Sequence, residues 1–121
     1  AAIFTKYILS RGGKVMLKPI DGVKTEWTSP LNAFEDTLEH EQKVTAMINN
    51  LYAIATEEHD YATQSMLKWF IDEQVEEEET AQGLIDSLKM IKDNGFGLYM
   101  LDKELKVRAY TQAAPLAGSA E

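Results

Sequence analysis

Apolar residues recur at every third or fourth position through two long stretches of the chain. In the first, Leu31, Phe34, Leu38, Glu41, Thr45, Ile48, Tyr52 and Ala55 advance in steps of three and four, the seam of a helix packed in a bundle. In the second the seam reads Leu67, Phe70, Gln74, Glu77, Ala81, Leu84, Leu88 and Ile91. Ser29-Pro30 opens the first helix, an N-cap followed by proline at the position where a missing N–H costs nothing, and Asp60 caps the second after a break at His59. The spacing predicts helices over 30–58 and 60–92, the latter ended by Asp93-Asn94-Gly95.

Shorter patterns flank these two. Ile3, Phe4, Tyr7 and Ile8 share a helical face, so residues 1–11 read as the end of a helix stopped by Gly12-Gly13. With no initiator Met and no capping residue ahead of it, the beginning of that helix is expected to be absent. Residues 12–29 hold Pro19, Asp21-Gly22 and an alternating run towards Trp27, an irregular crossover too long for two adjacent antiparallel helices and expected to run the length of a bundle. An amphipathic segment predicts a short last helix over 98–107, and the alanine-rich residues 109–121 read as a flexible tail. No internal repeat is present. The fold expected is all-α, a partial helical bundle in one domain over 1–108.

Charge and composition narrow the partners. Lys plus Arg number 12 against 20 Asp plus Glu, a net charge of −8, the wrong sign for a nucleic acid or an anionic membrane and the right one for cations. The absence of cysteine excludes disulfides, thiolate metal sites and thiol catalysis. No apolar run approaches the roughly 18 residues of a membrane span, and the amino end does not read as a signal peptide, so a soluble, cytoplasmic protein is expected. No nucleophile, phosphate-binding or dinucleotide motif stands out.

The polar members of the two seams carry the chemistry. An ionised carboxylate in an apolar seam costs several kcal/mol unless opposite charge meets it. Neither seam offers Lys or Arg near Glu41 or Glu77, and the flanking Leu38, Ile48, Phe70 and Leu84 are apolar. A metal cation fits that gap. Gln74 and Glu77 stand at i, i+3 on one face, and Glu41 lies near mid-length of its own helix, so antiparallel packing brings all three level. An oxygen-only set suits Fe, Mn, Mg or Ca. The competing reading is a misread register, with glutamates that reach solvent. Glu73 and Glu76 flank the seam and could hold a further ion, whereas Glu78 and Glu79 rotate away and are expected to be solvated. His40 points about 100° away from Glu41 and His59 falls at a helix junction, so both read as surface or capping residues. Trp27, Trp69 and the methionines read as core or crossover packing.

LEHEQKVT around Glu41 and LKWFIDEQVEEEE around Gln74 and Glu77 resemble the third and fourth helices of bacterial non-haem ferritin subunits. The similarity continues through RGGKV, WTSPLNAFE, HDYAT and GFGLYMLDKEL, and covers residues 3–108. It implies a ferritin-like four-helix bundle with a long crossover, represented by the end of helix 2, helices 3 and 4 and a short helix 5. It also implies a di-iron site, with Glu41 as the third-helix ligand and Gln74 and Glu77 at the second iron. Glu73 and Glu76, with Glu77, match the acidic group of an adjacent third iron. Such ferritins oxidise Fe(II) with dioxygen or peroxide and store ferric mineral in a homo-oligomeric shell of 24 subunits. Bacterioferritin-type subunits carry Glu-x-x-His where Gln74-x-x-Glu77 stands, so the resemblance implies no haem.

One departure is large. The first-helix glutamate and tyrosine of the family, and the Glu-x-x-His of its second helix, would all precede Ala1, so the chain is expected to lack the first helix and most of the second. The expected function is ferroxidase-driven iron storage and detoxification. Two alternatives are a helical hairpin that pairs with a second copy around a new metal site, and a purely structural interaction module without ferroxidase activity.

Overall fold

The structure is a computed structural model and describes residues 1–107 and 115. The tail expected over 109–121 therefore lies, apart from Pro115, outside the described residues. Every regular element among the described residues of 1–107 is helical, in the order α1 (Ala2–Ser10), α2 (Pro30–Glu57), α3 (Tyr61–Ile91) and α4 (Gly95–Lys106). The described residues of 1–107 divide into two compact units, 1–25 and 26–107.

In the first unit α1 ends in a tight glycine stop. Gly12 N–H donates to Leu9 O at 3.1 Å and Gly13 N–H to Ile8 O at 2.9 Å, the paired bonds of a Schellman cap. Gly12 has φ +77°, and a Cβ on Gly13 would lie 2.8 Å from Ile8 Cγ2, so each glycine answers a separate demand. Residues 13–25 carry no helix or strand.

The second unit is a long antiparallel hairpin followed by a short helix. Ser29 Oγ accepts the Asn32 N–H at 3.0 Å with Pro30 at the first helical position, which starts α2. Trp27 Nε1 donates to Asp36 Oδ2 at 2.9 Å, tying the approaching strand of chain to the start of that helix. The exit uses another Schellman pair, His59 N–H to Thr56 O at 3.2 Å and Asp60 N–H to Ala55 O at 2.8 Å. Here His59 takes the left-handed position at φ +54° that glycine usually fills. Asp60 then caps α3 through Thr63 N–H at 3.1 Å and Thr63 Oγ1 at 2.6 Å. The turn between α2 and α3, Glu58 to Asp60, is too short for anything but antiparallel neighbours. Asn94 Oδ1 accepts from Phe96 N–H and Gly97 N–H and opens α4, three residues earlier than the sequence pattern predicts.

Ile48 and Ala55 of α2 meet Leu67, Gln74, Ala81, Ile85 and Leu88 of α3 as the buried strip of the hairpin. On α2 this is the expected seam. On α3 the contact face is rotated: Leu67, Gln74, Ala81 and Leu88 hold the strip, but Ile85 is buried where Leu84 was expected, and Glu78 is half-buried while Glu77 is exposed. The reason is a degeneracy of the pattern. Between the members spaced seven apart, Phe70-Glu77-Leu84 and Ile71-Glu78-Ile85 both read apolar, acidic, apolar, so periodicity cannot choose between them.

The expected packing of Trp27 and of four of the five methionines is corrected as well, while Met66 is half-buried. Trp27 is 46% and Met47 59% exposed, and Met16, Met90 and Met100 face solvent, because each falls off the strip where α2 and α3 touch. Met47, Leu51 and Ile54 instead form a second, uncovered apolar stripe on α2.

Leu67 is wholly buried, so Leu67→Ala should destabilise the chain by about 3 kcal/mol, measured by urea denaturation followed by far-ultraviolet circular dichroism. His59→Gly should stabilise it by about 1 kcal/mol by relieving the left-handed backbone. A loss of stability in that variant would show that the histidine side chain, and not its backbone, matters at the turn.

Candidate metal centre

The three-residue turn and the two caps fix the phase of α2 against α3, and that phase sets Glu41 opposite Gln74. Gln74, at 8% exposure, is the buried polar residue among the described residues. Its Nε2 donates to Glu41 O at 3.1 Å, Glu41 Oε2 at 3.2 Å and Thr45 Oγ1 at 3.1 Å. An amide has two hydrogens, so three acceptors at this range share them. Glu41 is half-buried, with its carboxylate turned towards the amide.

The remaining candidates are divided. Glu73 is half-buried, and Glu76 and Glu77 are exposed. Glu73 and Glu77 stand one helical turn apart on the same flank of α3, beside the strip and not within it. The expectation that Glu77 is buried with Glu41 and Gln74 is therefore corrected: the structure brings Glu41 and Gln74 together and leaves Glu77 at the solvent edge. Glu78, expected to be solvated, is the acid that reaches across, accepting the Thr45 hydroxyl at 2.6 Å. The signal that could have found it is the Ile71-Glu78-Ile85 row, which is as apolar around its acid as the row chosen. His40 and His59 are both exposed.

The electrostatics favour a cation near α3. Glu73, Glu76, Glu77, Glu78 and Glu79 fall within two turns of one helix, and their fields add where the ends of side chains are free. Among the described residues, exposed ion pairs lie elsewhere, Lys43 with Glu39 at 2.7 Å and Lys106 with Asp102 at 2.8 Å. The hydrogen bond that Lys43 donates to Glu39 raises the Lys43 pKa, on the exposed face of α2. No group of three or more His, Asp or Glu side chains closes on a common point among the described residues. What α2 and α3 offer is a carboxylate that faces the NH2 of the Gln74 amide across a helix pair, the amide oxygen beside it as a second hard donor, and an acidic flank. These are fewer donors than the six or so that a hard cation takes.

A model of the ferritin-like domain matches residues 1–91. The bacterial non-heme ferritin of Staphylococcus haemolyticus is 46% identical over 106 residues, which are 88% of this chain and 64% of that protein. That of Bacteroides fragilis is 44% identical over 102 residues, 84% of this chain and 63% of its own length. The chain thus spans less than two thirds of the length of these relatives. Among solved structures, an open pore ferritin from the archaeon Archaeoglobus fulgidus superposes with a TM-score of 0.88 at 40% identity, covering 89% of this chain and 67% of that one. A humanized archaeal ferritin gives 0.90 at 40% identity, covering 92% and 67%. With the helical hairpin, the caps and the facing Glu41 and Gln74 in place, the chain belongs to the ferritin-like domain family.

Proposed function

We propose that this chain serves iron storage and detoxification as part of a ferritin, its α2–α3 pair contributing Glu41, Gln74 and Glu77 to a di-iron site where Fe(II) is oxidised. Glu73 and Glu76 lie beside Glu77 and, in this reading, hold a third iron. The observation that carries the proposal is the buried Gln74 amide set against the Glu41 carboxylate at the middle of two long helices. The names of the relatives, non-heme ferritins, supply the metal.

Iron is here the substrate. Each Fe(II) gives up one electron to dioxygen or peroxide and leaves as Fe(III). The residues on the page act by holding the ion. Glu41 trades its bond from the Gln74 N–H for the cation, and its anionic oxygens favour the higher charge of Fe(III) over Fe(II). Gln74 adds a neutral oxygen, which limits the negative charge gathered in a half-buried place. Glu77, at the solvent edge, can take an arriving ion and pass it inward by turning its side chain, with Glu73 and Glu76 widening the attracting field. The product is kept as ferric mineral in a homo-oligomeric shell of 24 subunits. A cytoplasmic location accords with the reading, and no helix of the described residues is long and apolar enough to cross a membrane.

Two experiments test this. Fe(II) added without oxygen should raise the melting temperature, since binding to the native state stabilises it, and admission of air should then raise the near-ultraviolet absorbance of ferric species. Glu41→Ala should abolish both effects, and Glu77→Ala should slow oxidation while the helical signal is unchanged. A wild-type chain that shows neither effect counts against iron chemistry on these residues.

Gln74→Glu puts a second carboxylate where the amide now donates to Glu41. It should cost about 2 kcal/mol in the metal-free chain, and a divalent cation should recover most of that loss. Equal stability with and without cation would place the pair outside any metal site.

A further inference from the structure

Thr45 has no part in the iron-binding set above, yet it joins the two sides of the hairpin at that level. Its hydroxyl lies 3.1 Å from Gln74 Nε2, 2.6 Å from Glu78 Oε1 and 3.0 Å from the carbonyl of Glu41 one turn back. A hydroxyl has one hydrogen and two lone pairs. Of its two acceptors the carboxylate oxygen is nearer and gives the stronger bond, so the hydrogen goes to Glu78 and a lone pair faces the amide. The bonds then run in one direction, from the Gln74 N–H to the Thr45 hydroxyl to Glu78, and each polarises the next.

This direction fixes the Gln74 side chain. Glu41 O and Glu41 Oε2 can only accept, so the amide group facing α2 is NH2. Among the described residues Gln74 Oε1 accepts no hydrogen bond, and no buried side-chain oxygen or nitrogen lacks a partner, so Oε1 is open to solvent. A cation drawing on Glu41 Oε2 removes one of the three acceptors of the amide. Thr45 and the Glu41 carbonyl are then the acceptors that keep NH2 on the α2 side and leave Oε1 free.

We propose that Thr45 is a positioning residue of the candidate iron site, polarised by Glu78 and holding Gln74 so that its carbonyl oxygen is the atom offered to the metal. The inference rests on the reading of Gln74 as an iron ligand.

The test uses the full chain with Co(II) as a redox-inert probe and the 15N-labelled side-chain amide signals of Gln74. Thr45→Val should weaken Co(II) binding about 10-fold, as loss of a partner that orients a ligand does, and should speed exchange of the Gln74 amide protons. Thr45→Ser should restore both, which a role limited to packing would not produce. Should Thr45→Val fail to fold, Glu78→Gln reads the same chain of bonds from its far end and should also weaken binding. Unchanged Gln74 amide signals and Co(II) affinity in these variants overturn the role of Thr45 while leaving the iron reading intact. A wild-type chain that binds no Co(II), yet whose Gln74 signals respond to Thr45→Val, overturns the metal role and leaves a structural hydrogen bond.

Discussion

Burying a primary amide between two helices costs a few kcal/mol unless its hydrogens find acceptors, and the hairpin of α2 and α3 is arranged around meeting that demand at Gln74. The acceptors come from one short stretch of α2, Glu41 and Thr45, which presents a backbone carbonyl, a carboxylate and a hydroxyl to the same nitrogen. A shift of α3 by one residue would rotate the amide away from all three and bury an unpaired group. The polar contact therefore fixes the register of an interface whose apolar members, Ile48, Ala55, Leu67, Ala81 and Ile85, would tolerate sliding more readily.

That register has a functional consequence in the proposed reading. The carboxylate that satisfies Gln74 in the metal-free chain is the one a cation would claim, so the two states exchange one partner for another without exposing the seam. Placing the remaining acids at the edge of the strip has its own logic. Glu73, Glu76 and Glu77 keep contact with water, which spares the hairpin their desolvation, and still lie close enough to attract an ion towards the buried pair.

The uncovered stripe of Met47, Leu51 and Ile54 sets the hairpin in the context of its family. A helix with apolar residues on two sides is built to touch two neighbours, as helices of a four-helix bundle do. In the residues described, α2 has α3 on one side and its second stripe exposed. The relatives extend beyond the matched part, since the chain spans 64% of the length of the Staphylococcus haemolyticus protein.

Most of the secondary structure was legible from the residues alone, because its determinants are local. Ser29-Pro30, Asp60 and Gly12-Gly13 each act within one turn of the backbone, and the structure starts or stops helices at them. The asparagine cap of α4 was missed for a different reason: Gly95-Phe96-Gly97 has weak helix propensity, and Asn94 bonds to the two N–H groups there. The pairing of Glu41 with Gln74 also followed from spacing, since both occupy rows that repeat every seven residues. What spacing could not decide was the choice between Glu77 and Glu78, about 100° apart on the helix. Both rows carry an acid between apolar neighbours, and only packing against α2, where the Thr45 hydroxyl meets Glu78, sets which acid turns inward and which stays in water. Local chemistry thus determined where the helices begin and end, and the tertiary contact decided which of their faces meet, because a hydrogen bond between residues 33 positions apart exists only once the two helices are side by side.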